Sequence, residues 1–183
     1  MKIITLFGSS RPKPGSADYL LAYETGFELA RAGFILCNGG YGGTMEAAAR
    51  GAKEAGGKTV GILLSKRLLR ANPYIDRAEK ERTLLGRLKR LARLGDGYLI
   101  FKGGTGTLLE VALVLEMTHK KFSSPKPMVF MGNFWKETVR TALLESRLGS
   151  SSPFKADTDR MKSLVRFVQT PEKAAAILKE LLR

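Results

Sequence analysis

Two short apolar segments of this chain each run straight into a glycine-rich turn that opens a helix. No other feature constrains the fold as much. The first is Phe34–Asn38, followed by Gly39-Gly40-Tyr41-Gly42-Gly43-Thr44-Met45-Glu46. The second is Gly97–Phe101, followed by Lys102-Gly103-Gly104-Thr105-Gly106-Thr107-Leu108-Leu109-Glu110. Backbone without Cβ atoms bends sharply and lets a ligand approach closely. A helix starting in such a turn presents N–H groups and the positive end of its dipole, which favour a phosphate. Either unit alone reads equally well as a tight, capped connection. Two of them in one small chain predict loops converging on one anionic ligand.

The rest of the chain alternates in the same way. Lys2–Phe7 reads as a strand and Ala17–Ala32 as an amphipathic helix, with Ser16 as N-cap and Gly33 as stop. Met45–Ala55 is the helix after Phe34–Asn38, and Thr59–Leu64 the next strand. Arg77–Leu94 reads as one long basic helix ended by Gly95. Then come strand Gly97–Phe101, helix Thr107–His119, strand Pro127–Met131 and a helix around Phe134–Ser146. A polar loop, Gly149–Asp159, leads to strand Leu164–Val168 and a final helix, Pro171–Leu182. Strands separated by helices require crossover connections and a mostly parallel sheet. Strands rich in Val, Ile, Leu and Phe fit a sheet covered on both faces. The expected architecture is one doubly wound α/β domain over residues 1–183. Its ligand belongs at the carboxyl ends of the strands, near the point where strand order reverses. Both glycine turns follow strands, so both belong to that edge.

Composition narrows the function classes. No run reaches the roughly 18 apolar residues of a membrane helix. The apolar stretch after Met1 is too short for a signal peptide, so a cytoplasmic location is expected. Cys37 is the only cysteine and sits in an apolar strand pattern, as expected of a buried, inert thiol. One Cys and one His, His119, are too few for a structural zinc site. With no acidic metal cluster either, neither metal nor cofactor is expected. The net charge is +14, and residues 66–93 hold ten Lys/Arg against three acids, half of the excess. Nucleic acid could bind such a stretch, but no nucleic-acid motif accompanies it. A solvated basic helix in an ion-pair-rich, thermophile-like protein is the better expectation.

Familiar nucleotide motifs fail. Gly8-Ser9-Ser10-Arg11 stands where a dinucleotide fold would carry G-x-G-x-x-G. Its hydroxyls and amides still suit a phosphate or a base. Gly57-Lys58-Thr59 looks like the end of a P-loop, but Ala52 stands at the first glycine and a strand follows. The remaining residues point to glycosidic chemistry on a phosphorylated sugar. A carboxylate such as Glu110 stabilises an oxocarbenium-like centre or activates water. An arginine holds a phosphate bidentately. Charge alone does not separate Arg87 from Arg82, Arg90 or Arg93, and a solvated charge is the default for each.

Lys102–Glu110 resembles the P-G-G-x-G-T-x-x-E signature of the LOG ("lonely guy") proteins, formerly described as possible lysine decarboxylases. Gly39–Glu46 is similar to that family's second glycine loop, and Gly8-Ser9-Ser10 to its opening loop. Arg87 lies at the place of its upstream arginine. The resemblance covers roughly residues 3–135. It implies a Rossmann-like, usually dimeric domain that cleaves the N-glycosidic bond of a nucleoside 5′-monophosphate, AMP or a cytokinin-type nucleotide, without a metal. It implies Arg87 and Glu110 as the catalytic pair. The 5′-phosphate would lie on Lys102, Gly103, Gly104, Thr105, Gly106 and Thr107. Gly8, Ser9, Ser10, Gly39, Gly40, Gly42, Gly43 and Thr44 would line the rest of the nucleotide. Relatives of the family include non-catalytic molybdenum-cofactor carriers, so a carrier of a phosphorylated pterin is the alternative. Three positions depart from the pattern: Lys102 replaces the motif proline, Leu88 a lysine and Leu109 a frequent acid. Decarboxylation of lysine is set aside, because nothing marks a Schiff-base lysine for pyridoxal phosphate. Helix Thr107–His119 is apolar nearly all round, so burial on more than one side is expected, the second side against a partner copy.

Overall fold

The structure, a computed structural model, describes residues 1–65, 70–145 and 163–183. Seven strands form one parallel sheet. In chain order the elements are β1 (Ile3–Phe7), α1 (Ala17–Arg31), β2 (Ile35–Asn38), α2 (Thr44–Glu54), β3 (Thr59–Leu64) and β4 (Arg77–Glu81). They continue with α3 (Leu84–Leu94), β5 (Gly97–Ile100), α4 (Thr105–His119), β6 (Met128–Met131), α5 (Lys136–Glu145), β7 (Val165–Val168) and α6 (Pro171–Leu181). The expected loop 149–159 lies outside the described residues. The strand order is β4-β3-β2-β1-β5-β6-β7. The chain builds outward from β1 to β4, then returns to β5 on the other side of β1. The reversal between β1 and β5 opens a crevice at the carboxyl edge of the sheet. The expected doubly wound, Rossmann-like architecture is the observed one.

Side-chain alternation along the strands divides the core in two. Ile4, Leu6, Leu36, Leu99, Val129 and Met131 pack under α1, α2 and α6. Phe7, Cys37, Tyr98, Ile100, Met128 and Phe130 pack under α3, α4 and α5. Burial pushes the Cys37 thiol up to about 12, so it is inert at neutral pH as expected. Helices α1 and α2 touch backbone to backbone. A methyl on Gly26 would collide with the Ala48 carbonyl, and one on Gly51 with the Tyr23 carbonyl.

One expectation is overturned. Residues 77–94 are not a single helix. Arg77–Glu81 is an edge strand, paired in parallel with β3 from Val60↔Arg77 to Leu64↔Glu81. The helix starts only after Thr83, whose hydroxyl accepts from the Gly86 N–H (3.0 Å). Arg77-Ala78-Glu79-Lys80-Glu81 carries charge on both faces, so no apolar alternation marks it as a strand. A sheet edge tolerates such a strand, because charge there blocks pairing with other chains. The sheet's open edge, not local propensity, decides the conformation of these five residues.

Candidate functional site

The second glycine loop is built around Asn38 at the end of β2. This side chain is fully buried. Its amide nitrogen donates to the Met45 carbonyl (3.0 Å), and its oxygen accepts from the Gly40 N–H (2.8 Å). Asn72 ties down the outer side of the loop. Its backbone N–H donates to the Gly40 carbonyl and its side-chain amide to the Tyr41 carbonyl (both 2.9 Å). The Tyr41 hydroxyl accepts from the Leu64 N–H (2.9 Å), which fixes the loop to the end of β3. Gly43, at φ +69°, turns the chain into α2, and the Thr44 N–H donates to the Ser9 carbonyl (2.9 Å). The β1 loop and the second glycine loop are thereby joined.

The structure separates the four candidate arginines. Arg90 pairs with Glu79 (2.9 Å), and Arg82 and Arg93 are exposed. Arg87 turns inward. Its Nε donates to the Ile62 carbonyl (2.7 Å) and its Nη2 to the Gly39 carbonyl (3.3 Å). Its guanidinium lies 5.4 Å from the centre of the Tyr41 ring. A methyl at position 39 would meet that guanidinium and Met45 Sδ, so a larger residue there would displace the Arg87 side chain. Glu110, on α4, is the acid that senses Arg87. Desolvation raises its carboxyl to about 7, and the positive charge of Arg87 opposes that rise. A carboxyl at that value divides between acid and base forms at neutral pH, the condition for proton transfer. The positive charge of Arg87 on α3 thus reaches Glu110 on α4.

Helices α2 and α4 start at Gly43 and Gly104 with no side-chain cap, whereas Ser16, Thr83 and Thr170 cap α1, α3 and α6. The start of α4 borders a cleft of about 640 Å³ walled by Ser9, Arg11, Lys13, Lys102, Gly103 and Gly104, among others. The volume lies in the range of small-molecule sites. The cleft sits at the β1/β5 reversal, where the fold predicts a ligand. Lys102 pairs there with Asp18 of α1 (2.7 Å). Gly8 wedges between the loops; a methyl on it would lie 2.8 Å from Thr44 Cγ2 and 3.2 Å from Phe101 Cβ. Thr105 and Gly106 are exposed beside the helix start, while Thr107 is buried, its hydroxyl filling the space over Gly103. Gly40 and Gly104 follow parallel strands and share one sheet edge, as expected. The cleft wall does not include Arg87 or Glu110. No group of three or more metal-ligating side chains occurs among the described residues, and no described helix is long and apolar enough to cross a membrane.

Sequence reasoning missed Asn38, Tyr41 and Asn72, which shape the second loop, and Arg11, Lys13 and Asp18, which wall the cleft. Asn38 carried a signal: a polar residue closing an apolar strand directly before two glycines. Asn72 carried none, because its role depends on contacts across 31 positions of chain.

Three loops at the reversal point of a parallel sheet define a Rossmann-like domain with a cleft at the carboxyl edge of its strands. Residues 1–147 match the SLOG cluster4 family, and the chain belongs to that family. An uncharacterized protein of Archaeoglobus fulgidus is 35% identical over 127 residues, 68% of this chain and 82% of that one. Among solved structures, the molybdenum cofactor binding protein of the phototrophic bacterium Rippkaea orientalis is similar, with TM-score 0.75 and 26% identity. The match covers 100% of this chain and 98% of that one. The molybdenum cofactor carrier protein of Chlamydomonas reinhardtii is similar with TM-score 0.73 and 28% identity, over 99% and 98% of the two chains. The LOG-like motifs therefore sit in a SLOG-family domain whose structural neighbours include molybdenum-cofactor binders.

Proposed function

We propose that this protein binds a phosphorylated heterocycle at the carboxyl edge of its sheet, and that it serves as a carrier for a pterin of the molybdenum-cofactor type. The cleft at the β1/β5 reversal carries this reading. It borders the uncapped start of α4, where amides and the helix dipole favour a phosphate. Arg11 and Lys13 add positive charge to its wall. The neighbours that bind molybdenum cofactor match nearly the whole chain, which supports the same reading. Binding is tested by calorimetric titration with AMP, adenosine, ribose 5-phosphate and a pterin phosphate. Phosphorylated ligands should bind far more tightly than adenosine. Equal affinity for adenosine and AMP would remove the phosphate from the recognition.

A second reading is favoured by Glu110. A carboxyl held near neutral protonation beside Arg87 is suited to hydrolysis of a nucleoside 5′-monophosphate, the LOG-type activity. Glu110 would stabilise charge at the anomeric carbon or activate water, and Arg87 would hold the ribose phosphate or assist departure of the base. Released base and ribose 5-phosphate from a nucleotide panel distinguish the two. If the protein is a hydrolase, Glu110→Gln should lower turnover roughly 10²–10⁴-fold with little change in binding. A carrier releases no base in either form.

A further inference from the structure

We propose that Phe134 is a stacking platform for the planar ring of the ligand, and thus a specificity-determining residue of the cleft. The inference rests on the reading of that cleft as the site of a phosphorylated ligand, and it assigns the ring-bearing end. A lone exposed phenylalanine needs no explanation. Phe134 differs in its place and in its support. It is 61% exposed, yet it walls the cleft of about 640 Å³ together with Gly103 and Gly104. It also walls an adjoining hollow of about 250 Å³, which shares Pro12, Asp18 and Lys102 with the cleft. The residue therefore stands where the two spaces meet, beside the loop assigned to the phosphate.

The support is a chain of contacts from the core. Trp135, next in sequence, is 5% exposed and donates its indole N–H to the Phe101 carbonyl (2.9 Å). That carbonyl closes β5 immediately before the Lys102–Gly104 turn, so the β6 loop is fastened to the β5 loop. The Phe134 and Trp135 rings meet in a T-shaped arrangement, with centroids 4.9 Å apart and an interplanar angle of 86°. Edge-to-face packing of this kind is favourable and sets the ring's orientation. A ring ordered before binding costs little further entropy on binding, and Phe134 keeps 61% of its surface exposed for such a contact. The ligand class is a phosphate ester of a flat, nitrogen-rich ring. A purine nucleotide and a pterin phosphate both satisfy it.

The test titrates the intact chain with inorganic phosphate, ribose 5-phosphate, AMP and neopterin monophosphate. Parent, Phe134→Ala, Phe134→Leu and Phe134→Trp are compared. Phe134→Leu keeps apolar bulk without an aromatic face. Far-ultraviolet circular dichroism and a cooperative urea transition report that each variant is folded. In Phe134→Ala and Phe134→Leu, affinity for the ring-bearing ligand should fall roughly 5- to 100-fold, the range for losing one aromatic stack. Phosphate and ribose 5-phosphate should be unaffected, and Phe134→Trp should retain binding. A loss confined to AMP identifies a purine ligand, and one confined to neopterin monophosphate a pterin. Unchanged ring affinity in Phe134→Ala, or an equal loss for all four probes, overturns the platform and leaves the phosphate site standing. A parent that binds none of the probes overturns both.

Discussion

Glu110 provides the sharpest test of the site, because its protonation is tied to stability. Its carboxyl moves from an ordinary value of 4.5 to about 7 in the fold, and burial is the larger cause. A group whose folded value is raised contributes stability that is fully present below its unfolded value. That contribution is lost as pH climbs through the interval and past the folded value. At about 1.4 kcal/mol for each pH unit between 4.5 and 7, the charged carboxylate costs the fold about 3 kcal/mol at high pH. At pH 5 less than about 1 kcal/mol of that cost is incurred. Glu110 is only partly buried, so solvent trims the difference to about 1–3 kcal/mol. Glu110→Gln removes the titration and keeps the shape. Its stability relative to the parent should therefore rise by about 1–3 kcal/mol between pH 5 and pH 8.5. Urea denaturation at several pH values, with both proteins measured at each, isolates this group from all other titrations. The parent's own loss over this window should be larger in Arg87→Met, because the positive charge that favours the carboxylate is gone. A difference between Glu110→Gln and parent that stays flat from pH 5 to pH 8.5 would refute the reasoning. A residue that keeps a charge at a cost to stability is a functional candidate on physical grounds.

Further outcomes follow from the packing. Gly51→Ala should cost about 1–3 kcal/mol or more in denaturant titration, since the Tyr23 carbonyl leaves no room for a methyl and backbone must shift. A variant as stable as the parent would mean α1 and α2 separate easily. Leu84 and Leu85 of α3 and Leu108 and Leu109 of α4 are 50%, 76%, 41% and 43% exposed, so the second side of α4 is open in the single chain. Sedimentation at micromolar concentration should give a homodimer, and Leu109→Asp should weaken it; a parent seen only as monomer rejects that assembly.

Much of this architecture was legible in the sequence, and for physical reasons. Strands covered on both faces must be short apolar runs, and the helices between them must carry one apolar face. Glycines and caps at the ends, such as Ser16, Gly33 and Pro171, then marked the boundaries. Parallel pairing followed from the helical crossovers, and with it the placement of both glycine loops at one edge. The β4 strand was illegible, because Arg77–Glu81 has no strand pattern of its own and takes its conformation from the free edge of β3. Charge and periodicity left the choice among the arginines hidden, and only the family resemblance pointed to Arg87. Arg87 differs from Arg90 in no local property, and only the carbonyls of Ile62 and Gly39, 25 and 48 positions away, set it apart. The raised carboxyl of Glu110 is also a tertiary product, because desolvation depends on what packs around α4. Sequence by itself determined where the chain turns and which edge of the sheet carries the glycine loops, because those properties are set by local periodicity and by glycine. Tertiary structure alone decided which charges face inward and which loops meet, because those depend on contacts between residues far apart in the chain.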